Sequence, residues 1–252
     1  MKLEVYDTEQ ALAHALAVSV ASSIAEHPDI VLGLPTGRTP IALYRELDTL
    51  TRERQLDWSR VRTFNLDEFV GLGDNARGSY RRFMHEHLFQ HVNIRPENVG
   101  FLDGRAPDLD AECERYERAI RDAEGIDLMI LGIGANGHIG FNEPCDVLPA
   151  RTHKVTLEEQ SRAGNALWFG GDINAVPRHA LSMGMATILN AREVVLMATG
   201  EGKSDAVKEM IAGGITTLLP ASFLQLHPHV TIMLDDDAAI GLDANARARG
   251  DV

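Results

Sequence analysis

The stretch "IDLMILGIGANGHIGFNEP", residues 126–144, carries the features that decide the fold. Its first half, residues 126–134, is a nearly continuous apolar run. Such a run is typical of a strand in the middle of a parallel sheet, because helices cover that strand on both faces. Its second half is rich in glycine and contains Asn136, His138 and Glu143. The stretch therefore predicts a buried strand whose carboxyl end opens into a polar loop.

Outward from this stretch, strand-like and helix-like segments alternate along the chain. The segments that read as strands are residues 2–6, 29–35, 61–67, 98–104, 193–199 and 230–236. The segments that read as helices are residues 8–27, 41–54, 79–92, 110–124, 176–191, 202–213 and 221–227. Thr8 is placed to cap the first helix. Between the buried strand and residue 176 the chain is rich in loops.

This alternation predicts an α/β fold with a doubly wound, mainly parallel sheet and helices on both faces, as in Rossmann-like proteins. No internal repeat, low-complexity linker or break in composition divides the chain. We therefore expect a single domain over residues 1–252.

Composition excludes several function classes. The formal charge of −13 argues against nucleic acid, whose phosphates would be repelled. No apolar run approaches the roughly 20 residues that a membrane span needs. The first ten residues lack the apolar core of a signal peptide, so a cytoplasmic location is expected. Cys113 and Cys145 are too few for a disulfide framework or a metal cluster.

Four predicted strand ends carry unusual polar residues. Ligands of this fold class bind beyond the carboxyl ends of the strands, so these loops are the places to search. The four sequences are "LPTGRTP" (34–40), "FNLDEF" (64–69), "GIGANGHIGFNEP" (132–144) and "ATGEGK" (198–203).

The glycines Gly132, Gly134 and Gly137 fit the G-x-G-x-x-G pattern of a dinucleotide site. In that site the third glycine opens a long helix. Here Gly140 and Pro144 obstruct any such helix. We interpret the glycines instead as letting the backbone approach a small ligand closely, with no dinucleotide cofactor.

The polar residues near these glycines indicate acid–base chemistry. His138 lies in one loop with Asn136 and Glu143, and an imidazole beside a carboxylate is a general acid–base arrangement. Asp67 and Glu68 end another predicted strand. Adjacent side chains of an extended chain point to opposite sides, so one of these acids can face the site and the other the interior.

Two further loops suggest an anion site. "TGRTP" offers backbone amides, hydroxyls and a guanidinium directly before a helix, and "TGEGK" places Lys203 at the start of another helix. Neither loop satisfies the Walker pattern. Together they predict a phosphorylated small molecule as ligand. His87 and His91 are spaced four residues apart, but no H-E-x-x-H motif contains them, so no metal site is predicted.

With these residues assembled, the chain resembles the glucosamine-6-phosphate deaminase family from about residue 5 to residue 235. The motifs that carry the resemblance are "LPTGRTPIALYREL", "FNLDEFVGL", "SYRRFMHEHLFQHV", "GIGANGHIGFNEP" and "PASFLQLHPHVTI", in this order. The segment "LNAREVVLMATGEGKSDA" is also similar to the galactosamine-6-phosphate deaminase branch. The resemblance implies a deaminating aldose–ketose isomerase that converts an amino-sugar phosphate to a ketohexose 6-phosphate and ammonia.

The resemblance also implies roles for particular residues. His138 would move a proton from the anomeric hydroxyl to the ring oxygen, Glu143 and Asn136 would hold that histidine, and Asp67 would carry the proton from C2 to C1. The phosphate would be bound by residues of the two anion loops: Gly37, Arg38, Thr39 and Lys203. The reaction requires neither a metal nor a redox cofactor.

The chain departs from the family pattern at several positions. Many relatives have Asp where this chain has Asn136. An arginine that binds phosphate from a mobile lid corresponds to Leu167, and we hypothesise that Arg38 replaces it. His153 and Val155 stand where some relatives have the basic residues that bind an allosteric activator. No activation by N-acetylglucosamine 6-phosphate is therefore expected.

Two other functions compete with the deaminase interpretation. A 6-phosphogluconolactonase-like hydrolase would use His138 to activate water and would not need Asp67 as a carbon base. Such enzymes typically continue this loop as Ser-Leu-Phe-Pro, where this chain has Phe-Asn-Glu-Pro (141–144). A non-catalytic sugar-phosphate sensor is the third reading, disfavoured by the negative charge and by the expectation that no DNA-binding module precedes Met1. The sequence leaves the preferred C4 epimer, and the choice between monomer and homo-oligomer, open.

Overall fold

The computed structural model describes residues 1–243. Its strands are β1 (Lys2–Tyr6), β2 (Val31–Leu34), β3 (Arg62–Asn65), β4 (Asp67–Phe69), β5 (Val99–Gly100), β6 (Leu128–Leu131), β7 (His153–Thr156), β8 (His179–Ser182), β9 (Glu193–Ala198) and β10 (Val230–Asp235). Its α-helices are α1 (Glu9–Glu26), α2 (Pro40–Arg54), α3 (Tyr80–His87), α4 (Leu109–Asp122), α5 (Glu159–Asn165), α6 (Met185–Leu189) and α7 (Ser204–Ala212).

Seven strands form one parallel sheet in the order β1-β10-β9-β6-β2-β3-β5. The apolar run of the opening stretch is β6, the fourth strand of the seven. Leu128 and Ile130 face one apolar core, and Met129 and Leu131 face another on the opposite side. Burial on both faces is the reason that this strand is apolar at every position.

Helices cover both faces of this sheet. On one face α1 and α2 pack against each other, burying residues such as Leu12 and Leu47. On the other face α4 and α7 bury Tyr116 and Val207 among others. Thr8 caps α1 as expected, since its hydroxyl accepts a hydrogen bond from the Ala11 amide at 3.1 Å. The doubly wound α/β prediction is confirmed. None of the helices within residues 1–243 has the length and apolar character to cross a membrane.

A second, three-stranded antiparallel sheet, in the order β4-β8-β7, adds to the expected architecture. Residues 61–67 were expected to be one strand, but β3 ends at Asn65 and the chain turns at Leu66 into β4. The helix expected over residues 176–191 is wrong in its first half, because residues 179–182 form β8 and only Met185–Leu189 is helical. β8 exists because β4 and β7 pair with it from distant parts of the chain.

The segment between β7 and β8, residues 157–178, is an excursion from the small sheet that we call the lid segment. Its two ends are joined by a hydrogen bond from the Leu157 amide to the Arg178 carbonyl at 2.9 Å. It contains α5 and two short 3-10 helices, Ala166–Phe169 and Ile173–Ala175. β7 and most of the lid segment lie in the stretch before residue 176 that is rich in predicted loops.

Candidate active site

Three of the four candidate loops follow strands that are neighbours in the large sheet. β9, β6 and β2 are adjacent, and residues 199–203, 132–144 and 35–39 come directly after them. From β2 the chain goes on to β3 and β5 on one side, and from β6 to β9 and β10 on the other. The crevice between β2 and β6 is thus a topological switch point, where ligands bind in this class of fold.

His138 is held by the two polar residues of its own loop. Its Nδ1 lies 2.7 Å from Asn136 Oδ1 and 3.3 Å from Glu143 Oε2. The Asn136 amide nitrogen donates to the same Glu143 oxygen at 2.9 Å, which fixes the orientation of the amide. Both neighbours of Nδ1 are acceptors, so Nδ1 carries the hydrogen and Nε2 is left to accept a proton.

Glu143 is ionised in this arrangement. Burial opposes its charge, but the hydrogen bond and charge of His138, together with hydrogen bonds from Ser161 and Asn136, lower the pKa of Glu143 to about 2. A buried carboxylate that remains charged stabilises the imidazolium that forms whenever His138 takes up a proton. The pair can therefore move a proton at neutral pH.

Ser161 is a site residue that the sequence analysis missed. It lies in α5 of the lid segment, is buried, and its hydroxyl donates a short hydrogen bond to Glu143 Oε1. A serine inside a short helix gives no signal in the sequence, and its partner is 18 residues away. Through Ser161 the lid segment contacts the carboxylate that supports His138.

The glycines of the loop have a structural reason that does not involve a dinucleotide. A Cβ at Gly134 would overlap the imidazole ring of His138. Gly137 has a φ of +83°, in the left-handed region that disfavours other residues. Gly134 therefore makes room for the histidine, and Gly137 lets the loop turn back towards it.

Asp67 begins β4 and reaches the same region from the small sheet. It pairs with Ser182 of β8, and its Oδ2 lies beside Gly140 of the 132–144 loop. Its side chain is only 6% exposed. Burial and the neighbouring Glu68 raise the pKa of Asp67 to about 8. A carboxylate with such a pKa is a strong base once it is ionised.

Glu68 faces the opposite side of β4, as expected for adjacent residues of a strand. Its carboxylate accepts hydrogen bonds from the backbone amides of Phe69, Tyr80 and Arg81 at 2.8–3.0 Å and from the Ser79 hydroxyl at 3.0 Å. Three of these donors, on Ser79, Tyr80 and Arg81, lie at the start of α3. Glu68 thus ties β4 to the start of α3.

The loop 35–39 has an open surface at the start of α2. Gly37 has a φ of +112° and no atom lies within 4 Å of the position that a Cβ would take. No side chain caps α2, whose N-cap residue is Thr39. The Arg38 side chain is exposed. Unpaired amides at a helix N-terminus, next to a guanidinium, form a suitable anion site.

Lys203 lies in a short 3-10 helix that precedes α7, after β9. Burial lowers the pKa of its amine, and within residues 1–243 no carboxylate forms an ion pair with it. Asp235, at the end of β10, accepts hydrogen bonds at 3.0 Å from the Gly200 amide through both carboxylate oxygens. Asp235 therefore fixes the loop that carries Lys203, a role that sequence reasoning did not assign.

The lid segment also contacts the start of α3. Tyr80 is buried and its hydroxyl donates to Asn165 Oδ1 at 2.9 Å. Phe169 packs edge-on against Phe69, with ring centroids 5.5 Å apart. Leu167, which stands where family members have a phosphate-binding arginine, is 61% exposed.

The two histidines that were considered as metal ligands are engaged in other contacts. His87 packs its ring against Phe83 at 4.4 Å between centroids, and His91 Nε2 lies 3.1 Å from the Glu86 carbonyl. Within residues 1–243, no group of three or more His, Cys, Asp or Glu side chains is arranged to hold a metal ion.

A cavity of about 470 Å³ lies apart from the sheet edge, between α4 and β7. His153 lines it together with Arg118, Arg121, Arg151 and Lys154, and Asp110, Glu114 and Glu117 are also in its wall. Burial lowers the pKa of His153. This cavity contains none of the candidate catalytic residues.

Comparisons with known proteins agree with the geometry. The profile of the family described as "Glucosamine-6-phosphate isomerases/6-phosphogluconolactonase" matches residues 5–233. The chain is 47% identical to a glucosamine-6-phosphate deaminase of Halothermothrix orenii, over 95% of this chain and 99% of that one. It is 47% identical to glucosamine-6-phosphate deaminase 2 of Bacillus subtilis, over 95% and 96% of the two chains. A solved structure of a monomeric glucosamine-6-phosphate deaminase superposes with a TM-score of 0.93 at 42% identity, covering 96% of this chain and 100% of that one.

Proposed function

Because the chain belongs to the family of glucosamine-6-phosphate isomerases and 6-phosphogluconolactonases, we propose that it is a glucosamine-6-phosphate deaminase. Its reaction converts an amino-hexose 6-phosphate and water to the ketohexose 6-phosphate and ammonia. The names of its relatives favour glucosamine 6-phosphate over galactosamine 6-phosphate.

Ring opening is assigned to His138. Its free Nε2 takes the proton of the anomeric hydroxyl and delivers a proton to the ring oxygen, so that the pyranose becomes the open aldehyde. Glu143 and Asn136 keep the ring in the tautomer that this transfer needs, since both bind at Nδ1. Glu143 also stabilises the imidazolium between the two transfers.

Isomerisation is assigned to Asp67. Its carboxylate removes the proton at C2 of the aldehyde and returns it at C1, while the aldehyde oxygen takes up the proton that the amino group loses, so that C1 carries a hydroxyl and C2 an imine. Water then adds at C2 and ammonia leaves, which completes the balance. Two groups with separated pKa values, Glu143 at about 2 and Asp67 at about 8, support this division between orienting and base roles.

Phosphate binding is assigned to Gly37, Arg38, Thr39 and Lys203. The first three lie at the uncapped start of α2, and Lys203 lies in the loop after β9, one strand beyond β6. A dianion between these loops would be bound by backbone amides, one guanidinium and one ammonium group.

The observation that carries the proposal is the buried Asp67 beside the loop of His138. A lactonase needs a general base for water, which His138 could supply, but it has no use for a second base that must act on carbon. A sensor needs neither. The turn at Leu66 places Asp67 beside the 132–144 loop, and this position favours the deaminase.

The test is an assay of ammonia release from glucosamine 6-phosphate and galactosamine 6-phosphate, in parallel with hydrolysis of 6-phosphogluconolactone. We expect ammonia from at least the glucosamine substrate and no lactone hydrolysis above the uncatalysed rate. Lactone hydrolysis without ammonia would assign the chain to the lactonases, and neither reaction would favour the sensor.

We also infer that the protein acts in the cytoplasm on this small molecule. Its substrate is a phosphorylated metabolite, and no helix of residues 1–243 could span a membrane. Size-exclusion chromatography with light scattering will decide between monomer and homo-oligomer.

A further inference from the structure

Asp67 and Glu68 form a buried pair of acids without a cationic partner. Asp67 is 6% and Glu68 is 4% exposed. Within residues 1–243, no Lys, Arg or His side chain makes an ion pair with either carboxyl group. Buried carboxyl groups are normally hydrogen-bonded or paired with a cation, so this pair has room for a cationic ligand.

The two acids differ in what surrounds them. Four donors hold the Glu68 carboxylate in place. Burial raises the pKa of Glu68 and these donors oppose the rise, while the charge of Glu68 raises the pKa of Asp67. Within the described residues, no side-chain or backbone donor contacts the Asp67 carboxyl group, whose Oδ2 lies beside Gly140 of the 132–144 loop. Asp67 is therefore the member of the pair that a ligand can satisfy.

The other charged and titratable groups near Asp67 do not neutralise it. Tyr80 from α3 and Tyr116 from α4 both interact with its charge, and burial raises the pKa of both phenols well above their usual range. Arg81 and Arg115, which interact with Tyr116, form ion pairs with Asp74 and Glu112. His138, across the 132–144 loop, is paired with Glu143.

We propose that this site selects the ammonium form of its substrate, with the C2 ammonium paired to the Asp67 carboxylate, and that Glu68 is the residue that sets this preference for a cation. The proposal rests on the proposed function and deepens it. It makes Glu68 a specificity-determining residue, which acts through the electrostatic potential at Asp67 and not by contact with the reacting atoms.

Two chemical consequences follow. A neutral Asp67 carboxyl group that meets an ammonium group loses its proton to solvent, so the base is switched on by the substrate that needs it. The bound ammonium also withdraws electrons from C2, which makes the C2 proton of the aldehyde easier to remove. Sugar phosphates with a hydroxyl at C2 would leave most of Asp67 protonated at pH 7 and therefore unable to act as a base.

The first test measures proton release on binding. Isothermal titration calorimetry at pH 7, in buffers of different ionisation enthalpy, is performed with 2-amino-2-deoxyglucitol 6-phosphate and with glucitol 6-phosphate. Both ligands have the phosphate and lack the aldehyde, and only the first has an amine, which is protonated at pH 7. We expect the amine ligand to release about one proton more than the alcohol, because Asp67 has a pKa of about 8 when free.

The second test uses Glu68→Gln, with Glu117→Gln as the matched control. Glu117 also accepts three hydrogen bonds, from Thr152 and Thr187, and contacts none of the site residues. Removing a charge next to Asp67 should reduce the affinity ratio of amine to alcohol ligand by roughly 10-fold. The control variant should keep the native ratio.

Equal proton release by the two ligands in the native enzyme overturns the proposal, and so does an affinity ratio that Glu68→Gln leaves unchanged. If Glu68→Gln does not fold, the proton count of the native enzyme decides alone. An enzyme that releases ammonia but shows no excess proton release refutes this inference and leaves the deaminase function intact.

Discussion

At the scale of single residues, the candidate site contains two carboxyl groups whose surroundings shift their pKa values in opposite directions. Asp67 has its pKa raised to about 8 by burial and by Glu68, while Glu143 is held at about 2 by the donors around it. The candidate residues Asp67, Asn136, His138 and Glu143 all follow from their positions at strand ends. Their protonation states follow only from the packing.

Replacing Asp67 by Asn should abolish most turnover while the protein still folds. The amide keeps the shape of the carboxyl group but cannot remove a proton from C2, and a positioned base contributes on the order of 10²- to 10⁴-fold. The check is steady-state kinetics beside a circular dichroism spectrum. In the native enzyme, solvent deuterium should appear at C1 of the product. Turnover of Asp67→Asn near the native rate would remove Asp67 from this role.

The stability of Asp67→Asn relative to the native chain should increase as the pH rises. The folded-state pKa of Asp67, about 8, is above its unfolded value of 3.8, so the folded protein binds more protons between these pH values and loses stability as pH increases. Asparagine does not titrate. We expect the Tm of Asp67→Asn to exceed that of the native chain by an amount that grows from pH 4 to about pH 8. A constant difference over this range would show that Asp67 titrates normally.

Arg38 provides a third prediction at this scale. If its exposed guanidinium binds the substrate phosphate in place of the arginine absent at Leu167, Arg38→Ala removes a charge-assisted hydrogen bond of roughly 1.5–3 kcal/mol. We expect kcat/KM to fall by about 10- to 150-fold on the phosphorylated sugar and hardly at all on the free amino sugar. Arg45→Ala, at an exposed arginine of α2, is the control. Equal losses on both substrates, or no loss, would exclude the clamp.

At the scale of elements, most of the large sheet could be predicted because its strands are locally apolar and its helices locally periodic. The small sheet could not. Residues 179–182 form β8 only because β4 and β7 pair with them, and such pairing of distant segments leaves no local pattern. Glu68 was expected to point away from Asp67, but its role at α3 needed the fold. The role of Ser161 could not be predicted, because nothing in the sequence distinguishes a buried serine in a helix from an exposed one.

The lid segment yields a prediction through Ser161. Ser161→Ala removes the hydroxyl that binds Glu143, and a hydrogen bond to a charged group contributes roughly 1.5–3 kcal/mol. Turnover of the closed pyranose should therefore fall by at least about 10-fold, and that of an open-chain analogue should change little. Ser161→Thr should restore the rate, and Gln160→Ala, an exposed neighbour in α5, should be neutral. An equal loss on both substrates would mean that Ser161 only supports the fold.

At the scale of the whole molecule, the candidate active site and the cavity between α4 and β7 are separate. The single domain expected over residues 1–252 remains a prediction, since residues 244–252 lie outside the described part of the chain. Both sheets contribute to the candidate active site, because Asp67 lies in the small sheet and His138 in a loop that follows a strand of the large one.

We predict that N-acetylglucosamine 6-phosphate does not activate the enzyme. His153 lines the cavity but burial lowers its pKa, so it is neutral at pH 7, and Val155 carries no charge. Saturation curves should be hyperbolic and have the same KM with and without this compound. Arg118 and Arg121 also line the cavity, so it does contain groups that can bind a phosphate. A lower KM, or a sigmoidal curve that the compound makes hyperbolic, would contradict the prediction.

The corner at Leu66 makes the site a ruler for the length of its substrate. Asp67 is anchored in one sheet and the loops of Gly37 and Lys203 in the other, so the span between C2 and the phosphate is set by how the two sheets are joined. A pentose 5-phosphate is one carbon shorter, so we expect it to be a much poorer substrate than the hexose 6-phosphate. Discrimination by chain length would thus depend on the backbone bend at Leu66, which fixes where Asp67 lies relative to the phosphate loops.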